Sequence, residues 1–367
     1  MAKDKSVFFK MTEVEKPKKT VMAFVPSFGG ACAHYRIIQP AKHLRQFDDI
    51  NFNVTDNFKL SYPDENVPLF QNGIYAEYEP YDTFIFQRES RLKIFEFMKL
   101  AQGLRGTRCI YEIDDSFLST EKHNPAHTDI QSILPVAKYF WAHANDITVT
   151  TEPLAEEFRK FNKNIHIIPN CIDFEFFDTH RKQNYNPETI VVGWAGSPFH
   201  YADIAMVEDV ITDVVNKYDN VKFMYCGNPQ KKGKDQVNFF KYIDAKRKIL
   251  MPNVTIDCYP EMISKIDINL CPLQDTQFNQ CKSNLKYLEA SALGIPSICS
   301  DVYPYSKTKD FQGILVKDDY QSWKYALELL INDQLARREI GTKALQLVER
   351  DYNQSDGSKL FREVLLK

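Results

Sequence analysis

Short apolar runs alternate with helical patterns along most of the 367-residue chain. TVMAFVPS (20–27), DTFIFQR (82–88), RCIYEID (108–114), DITVTT (146–151) and NIHIIPN (164–170) are bounded by turn or polar residues and are too short for helices, so each reads as a strand. Residues 36–47, 91–104, 131–144 and 152–162 read as helices between them. A polar stretch without periodicity, FDTHRKQNYNPET (177–189), reads as a linker. The alternation then restarts. TIVVGWAGS (189–197), VKFMYCGNP (221–229), VTIDCYP (254–260), IDINLCPL (266–273) and PSICSDV (296–302) read as strands, with helices near 201–217, 283–293 and 319–331 and further helices closing the chain. Such alternation implies parallel strands joined by crossover helices. The expected architecture is α/β: two doubly wound, Rossmann-like domains facing across a cleft, over 1–178 and 189–345, with terminal helices over 346–367. Ligands of such sheets bind beyond the carboxyl ends of the strands, so the loops after strands are where chemistry is expected.

Composition narrows the class. Hydrophobic residues make up 44% and charged residues 26%, as in a globular soluble protein. No apolar run approaches the roughly 18 residues of a membrane span, and the start, MAKDKSVFFKMTEVEKPKKT, has no secretory pattern. Eight cysteines are scattered without a CxxC pair, several in apolar runs such as those of Cys109 and Cys299. That pattern suits buried free thiols in a reducing compartment, hence a cytoplasmic expectation, rather than disulfides or zinc. The net charge of −3 argues against indiscriminate nucleic-acid binding. Locally, 231–248 carries seven Lys or Arg against two Asp, either a solvated insertion or a face for a polyanion.

Four stretches could carry chemistry. In VPSFGGACAHYR, Gly29 and Gly30 permit close backbone approach and unusual φ, and a helix starting after them would offer free N–H groups to an anion. This is neither GxGxxG nor a P-loop, and a GG after a strand is more often just a tight turn. Arg36 could pair with phosphate or hold a neighbouring carboxylate. In YEIDDS, Asp114 and Asp115 sit where a strand gives way to a loop; they could bind a metal, accept a proton from a substrate hydroxyl, or cap a helix. The loop after them, with His123 and His127, could form a flap. VVGWAGSPFHYAD is another strand-to-helix turn; Ser197 and His200 could contact phosphate, or His200 could be structural. In CKSNLKYLEASALGIPSICSD, Lys282, Lys286 and Glu289 are spaced by four and three and can share one helical face. Ser283 is a candidate N-cap, the amides near Ser283 and Asn284 could receive a pyrophosphate, and Glu289 could accept from a ribose diol. A solvated Lys–Glu pair, worth about 0.2–0.5 kcal/mol, is the bland alternative.

At these residues the chain resembles the GT-B glycosyltransferases, in particular the large retaining group called family 4. IDINLCPL followed by FNQCKSNLKYLEASALGIPSICSD is similar to that family's donor-binding block. The resemblance implies a glycosyltransferase using a nucleoside-diphosphate sugar, expected to be UDP-linked, with no metal or other cofactor required. It places the ribose on Glu289, the diphosphate at Lys282, Ser283 and Asn284 with Lys286 nearby, the nucleobase around Tyr259 and Pro260, and the Gly-rich loop at Gly29 and Gly30. It also implies that 355–367 crosses back to the first domain. The pattern departs from the family at Cys281, where a second Glu is common, with Phe278 and Asn279 beside it, and at GWAGSPFH, which replaces the usual Arg and Lys. GGxxxxYR, YEIDD and GWAGS together resemble a divergent bacterial and bacteriophage branch. The acceptor is therefore expected to be a glycan or a hydroxymethylated DNA base, with Lys282 stabilising the leaving group and Asp114 or Asp115 handling the acceptor hydroxyl. Rival readings are a metal-dependent transferase using Asp114 and Asp115, a sugar-nucleotide-binding module without turnover, and an α/β oxidoreductase, which the missing GxGxxG disfavours.

Overall fold

The structure, a computed structural model, describes residues 18–56, 80–181, 188–227 and 240–367. The lead-in up to residue 17, the centre of the linker (182–187) and the first half of the basic segment (231–239) lie outside them.

The first sheet contains β1 (Lys19–Phe24), β2 (Ile50–Thr55), β3 (Thr83–Gln87), β4 (Arg108–Glu112), β5 (Asp146–Val149) and β6 (Ile165–Ile167), in the order β2-β1-β3-β4-β5-β6. All its pairings are parallel. β3 and β5 are buried along their whole length, as expected for strands covered on both faces. Helices Leu92–Arg105 and His127–His143 supply one cover, packing Phe97, Met98, Phe140 and Trp141 against Phe84, Phe86 and Tyr111.

The second sheet contains β7 (Ile190–Ala195), β8 (Val221–Cys226), β9 (Lys248–Met251), β10 (Ile268–Cys271), β11 (Ser297–Ser300) and β12 (Ile314–Val316), in the order β12-β11-β10-β7-β8-β9, again all parallel. The strand order reverses between β1 and β3 in one sheet and between β7 and β10 in the other. Those reversals open crevices at the carboxyl ends of the strands, and the two crevices face one another.

The expected two-sheet α/β architecture is present, with local corrections. β2, β9 and β12 are strands that the apolar-run criterion passed over. VTIDCYP is not a strand: it is a turn at Ile256–Cys258 leading into a short helix, Tyr259–Ile263. Pro260 sits in that helix's first turn, where its missing N–H costs nothing, whereas an interior strand would lose a ladder bond. The helix expected near 201–217 is two helices, Tyr201–Ala205 and Glu208–Lys217.

The domains exchange elements. The last helix, Gln354–Leu366, places Phe361, Val364 and Leu365 in the first domain's core beside Val21, Ile37 and Phe52. Each such buried side chain contributes about 1.5–3 kcal/mol. Arg362 of that helix pairs with Asp49. In return, Tyr35 packs in the second domain's core, and Cys281 in the first domain's.

Candidate active site

Between the sheets lies a cavity of about 580 Å³, within the range of small-molecule sites. Segments after β1, β3, β4 and β6 form one wall; those after β7, β8, β9, β10 and β11 form the other. Gly29, Asp114, Asp115, Ser197, His200, Tyr259, Lys282, Ser283, Lys286 and Glu289 all line it.

Two glycines keep the second wall close and bare. A Cβ on Gly227 would lie 2.5 Å from the Gly196 carbonyl oxygen, at a φ of +156°. A Cβ on Gly196 would lie 2.3 Å from the Trp194 indole. Gly29 and Gly30 behave differently from expectation. Neither has a left-handed φ, and Gly30 is extended at φ −85°. The nearest atom to a Cβ on Gly29 would be Ser27 Oγ at 3.9 Å. That glycine supplies open space, not unusual backbone geometry.

The helix Leu285–Ala292 turns Glu289 inward. It ends at Gly294, whose φ of +75° suits a helix C-terminus, followed by Ile295 and Pro296. Glu289 is only 5% exposed, so it does not belong to a solvated stripe. Its Oε2 accepts from the Tyr259 hydroxyl at 2.9 Å. Burial raises its pKa, opposed by Tyr35, Lys286 and Tyr259. Lys286 donates to the Ala195 carbonyl and lies 5.4 Å from the Trp194 ring centroid. Burial holds its pKa below the ordinary lysine value. Lys282 Nζ is 3.0 Å from Asp115 Oδ1 and 4.3 Å from the Phe278 ring centroid. Ser283 is not the N-cap. Its Oγ accepts from Asn170 at 2.8 Å, a contact between domains. Asn284 holds the cap position, but its side chain donates to Thr308 Oγ1 at 2.9 Å instead of capping.

His200 follows β7, and its Nδ1 is 2.9 Å from Asp203 Oδ2. On the opposite wall, Arg88 Nη1 is 3.1 Å from Cys32 Sγ and 3.5 Å from Asp114 Oδ1. Arg88 has a φ of +51°, an uncommon and costly conformation for a bulky residue. Burial pushes the Asp115 carboxyl up, but Lys282 and Arg88 outweigh it, and the group titrates below the usual aspartate range. Among the described residues no cluster of three His, Cys, Asp or Glu side chains forms a metal site.

Several candidates lie off the cavity wall. Arg36 is a core residue: its Nε is 2.6 Å from Glu112 Oε1, and Nη1 donates to the Ile168 carbonyl at 2.6 Å and Asn170 Oδ1 at 3.1 Å. Of its two readings, holding a carboxylate is the one seen. Asn279 donates to Asp203 Oδ1 at 2.7 Å and to the Gln274 carbonyl at 3.0 Å, behind the wall. Phe278 underlies Lys282. His127 Nδ1 contacts the Thr120 carbonyl oxygen at 2.8 Å, and His123 sits 3.3 Å from Glu121. Cys281 is fully buried in the first domain's core, where a Glu would be an unpaired interior charge. Arg88, Tyr35 and Asp203 were passed over as site residues. Arg88 ends the strand run DTFIFQR, and its place at the carboxyl end of a strand is the signal that marks it.

Residues 189–333 match the family model described as Glycosyl transferases group 1. A comparison with curated protein sequences finds no match. Sucrose-phosphate synthase from Thermosynechococcus elongatus superposes with a TM-score of 0.68 at 14% identity, over 95% of this chain and 100% of that one. Anabaena HepE in complex with UDP and glucose gives 0.67 at 14% identity, over 95% and 100%. Starch synthase IV from Arabidopsis thaliana, bound to ADP and acarbose, gives 0.65 at 10% identity, over 96% and 99%. The chain thus has the two-domain GT-B glycosyltransferase fold, and its second domain carries the match to glycosyl transferases group 1.

Proposed function

We propose that the protein transfers a sugar from a UDP-linked donor to the hydroxyl of a carbohydrate acceptor. The observation that carries this reading is Glu289: a buried carboxylate facing a cavity between two domains, one turn along a helix from Lys286. A ribose diol can donate two hydrogen bonds to such a carboxylate. The amides that open the same helix, with Lys282 and Lys286, are suited to a diphosphate. When the anomeric carbon–oxygen bond breaks, its electron pair moves to the departing diphosphate. Preplaced positive charge stabilises that growing charge in the transition state more than in the ground state. The reading assigns this task to the lysines, so activity is expected to survive EDTA. Asp115 and Asp114, on the first-domain wall, are assigned to orient the acceptor hydroxyl and take its proton.

A UDP-linked donor is supported by the HepE structures with UDP and glucose and with UDP-glucose. A carbohydrate acceptor is favoured over modified DNA because Arg247, in the described part of the basic segment, is spent internally. It donates to the Val215 carbonyl at 2.8 Å and the Tyr218 carbonyl at 3.1 Å. Retention at the anomeric carbon is the stereochemistry we propose, on the resemblance to the retaining group. The test is nucleotide release from a panel of UDP-, ADP- and GDP-sugars, with oligosaccharides or hydroxymethylated duplex DNA as acceptor, with and without EDTA, and with the product anomer read by NMR. Turnover of a UDP-sugar onto a carbohydrate supports the reading. Binding without turnover would make the protein a carrier of sugar nucleotides, and turnover only with DNA would reassign the acceptor.

A further inference from the structure

His200 and Asp203 form a unit that the reading above leaves unused. Asp203 is 3% exposed and fully engaged. Its Oδ2 lies 2.9 Å from His200 Nδ1, while its Oδ1 accepts from the Gln274 amide at 3.0 Å and from Asn279 Nδ2 at 2.7 Å. The carboxylate is thereby fixed in position and aimed at the imidazole. A carboxylate on Nδ1 selects the tautomer with the proton there. Nε2 is then the ring nitrogen left for the cavity that His200 lines.

The charged groups that bear on this ring, besides Asp203, are Lys286 of the Leu285–Ala292 helix, Lys282 just before it and Asp115 from the first domain; Tyr305, on the Tyr303–Ser306 helix, lines the same cavity. Burial, then Lys286 and Lys282, push the His200 pKa down to about 4, against the pull of Asp203. The free protein therefore holds a neutral imidazole at neutral pH. A neutral Nε2 with no proton is an acceptor, and so is a phosphate oxygen. The two cannot bond unless a proton arrives. A diphosphate entering beside Lys282 and Lys286 cancels the field that kept the ring neutral.

We propose that His200, oriented by Asp203, takes a proton from solution when the donor's diphosphate binds, and grips a phosphate oxygen through Nε2–H. The imidazolium thus adds a cation to this turn only while the diphosphate is bound, and product release returns the proton to solution. Asp203 acts through His200 and is a positioning residue. The inference rests on the cavity being a nucleotide-diphosphate site.

The test is calorimetry of UDP binding at pH 7 in buffers of different ionisation enthalpy. The dependence of the apparent enthalpy on the buffer gives the protons taken up. Free UDP's titration is common to all variants, and repeating the series at pH 8, where its terminal phosphate is largely ionised, separates the ligand's share from the protein's. Wild type is expected to take up about one proton more than His200→Gln. Asp203→Asn, which keeps the imidazole but removes its partner, is expected to take up less than wild type. Equal uptake by wild type and His200→Gln, with UDP bound in both, overturns the proposal. Should His200→Gln not bind UDP, undiminished uptake by Asp203→Asn overturns it and reduced uptake supports it. Absence of UDP binding by wild type would instead remove the nucleotide site itself, and the proposal with it.

Discussion

Asp115 and Lys282 meet across the cleft, one from each domain, with Oδ1 and Nζ 3.0 Å apart. The pair joins the two walls at the point where a diphosphate is proposed to enter. Ligand phosphate and Asp115 would compete for the same ammonium.

Asp115→Asn should therefore raise UDP affinity several-fold while lowering stability. The Asp115 side chain is 30% exposed, so solvent screening limits the stability loss to about 1 kcal/mol. Because its pKa is depressed in the folded protein, the pair's contribution is complete at neutral pH. It is lost only as pH falls through and below the ordinary aspartate range. Calorimetry and thermal melts at pH 7 and at acid pH check both parts; weaker UDP binding in the variant would show that Asp115 assists the nucleotide.

Arg36→Met should unfold readily yet spare the site. Removing the guanidinium leaves Glu112, 1% exposed, without its charge partner. Breaking such a buried pair costs about 3–5 kcal/mol. UDP affinity of the folded fraction should be unchanged. Denaturant titration and calorimetry separate the two, and a large loss of UDP affinity in a stable variant would return Arg36 to the binding site.

Two glycine variants should diverge. Gly227→Ala meets the Gly196 carbonyl in a φ region unfavourable for other residues, and should cost about 1–3 kcal/mol. Gly29→Ala has room, and should stay within about 0.5 kcal/mol of wild type. Equal stability of the two by thermal melting would mean the second wall can relax.

The pH profile of UDP affinity should be bell-shaped. Burial raises the Glu289 pKa, so its carboxylate is lost on acidification sooner than an ordinary glutamate's. Affinity falls on that side, while proton uptake at His200 weakens binding on the alkaline side. Glu289→Gln should flatten the acid limb only. An unchanged acid limb in that variant would assign it to another group.

Much of this was legible in the chain. β3, β4, β5, β7, β8, β10 and β11 are apolar runs because both of their faces are covered, and such runs announce themselves. β2 alternates Ile50, Phe52 and Val54 with polar residues, and β9 is a partly exposed edge whose apolar run, Ile249 to Met251, is too short to stand out after the basic stretch before it. The spacing of Lys282, Lys286 and Glu289 puts them on one helical face but leaves open whether that face is solvated; burial decides it. What could not be read was pairing at a distance. The sequence around Arg36 does not reveal that Glu112, 76 residues away, claims it. Nor does spacing tell that Asp203 faces inward to Asn279 and His200, because that depends on how two loops fold together.

Glu289 is the anchor of the proposed donor site, and calorimetry of UDP with wild type and Glu289→Ala tests that role most directly. Hydrogen bonds to a buried carboxylate are worth about 1.5–3 kcal/mol, so the variant should bind UDP about 10- to 100-fold more weakly while its circular dichroism stays that of wild type. UDP affinity equal to wild type in a folded Glu289→Ala protein would contradict the account.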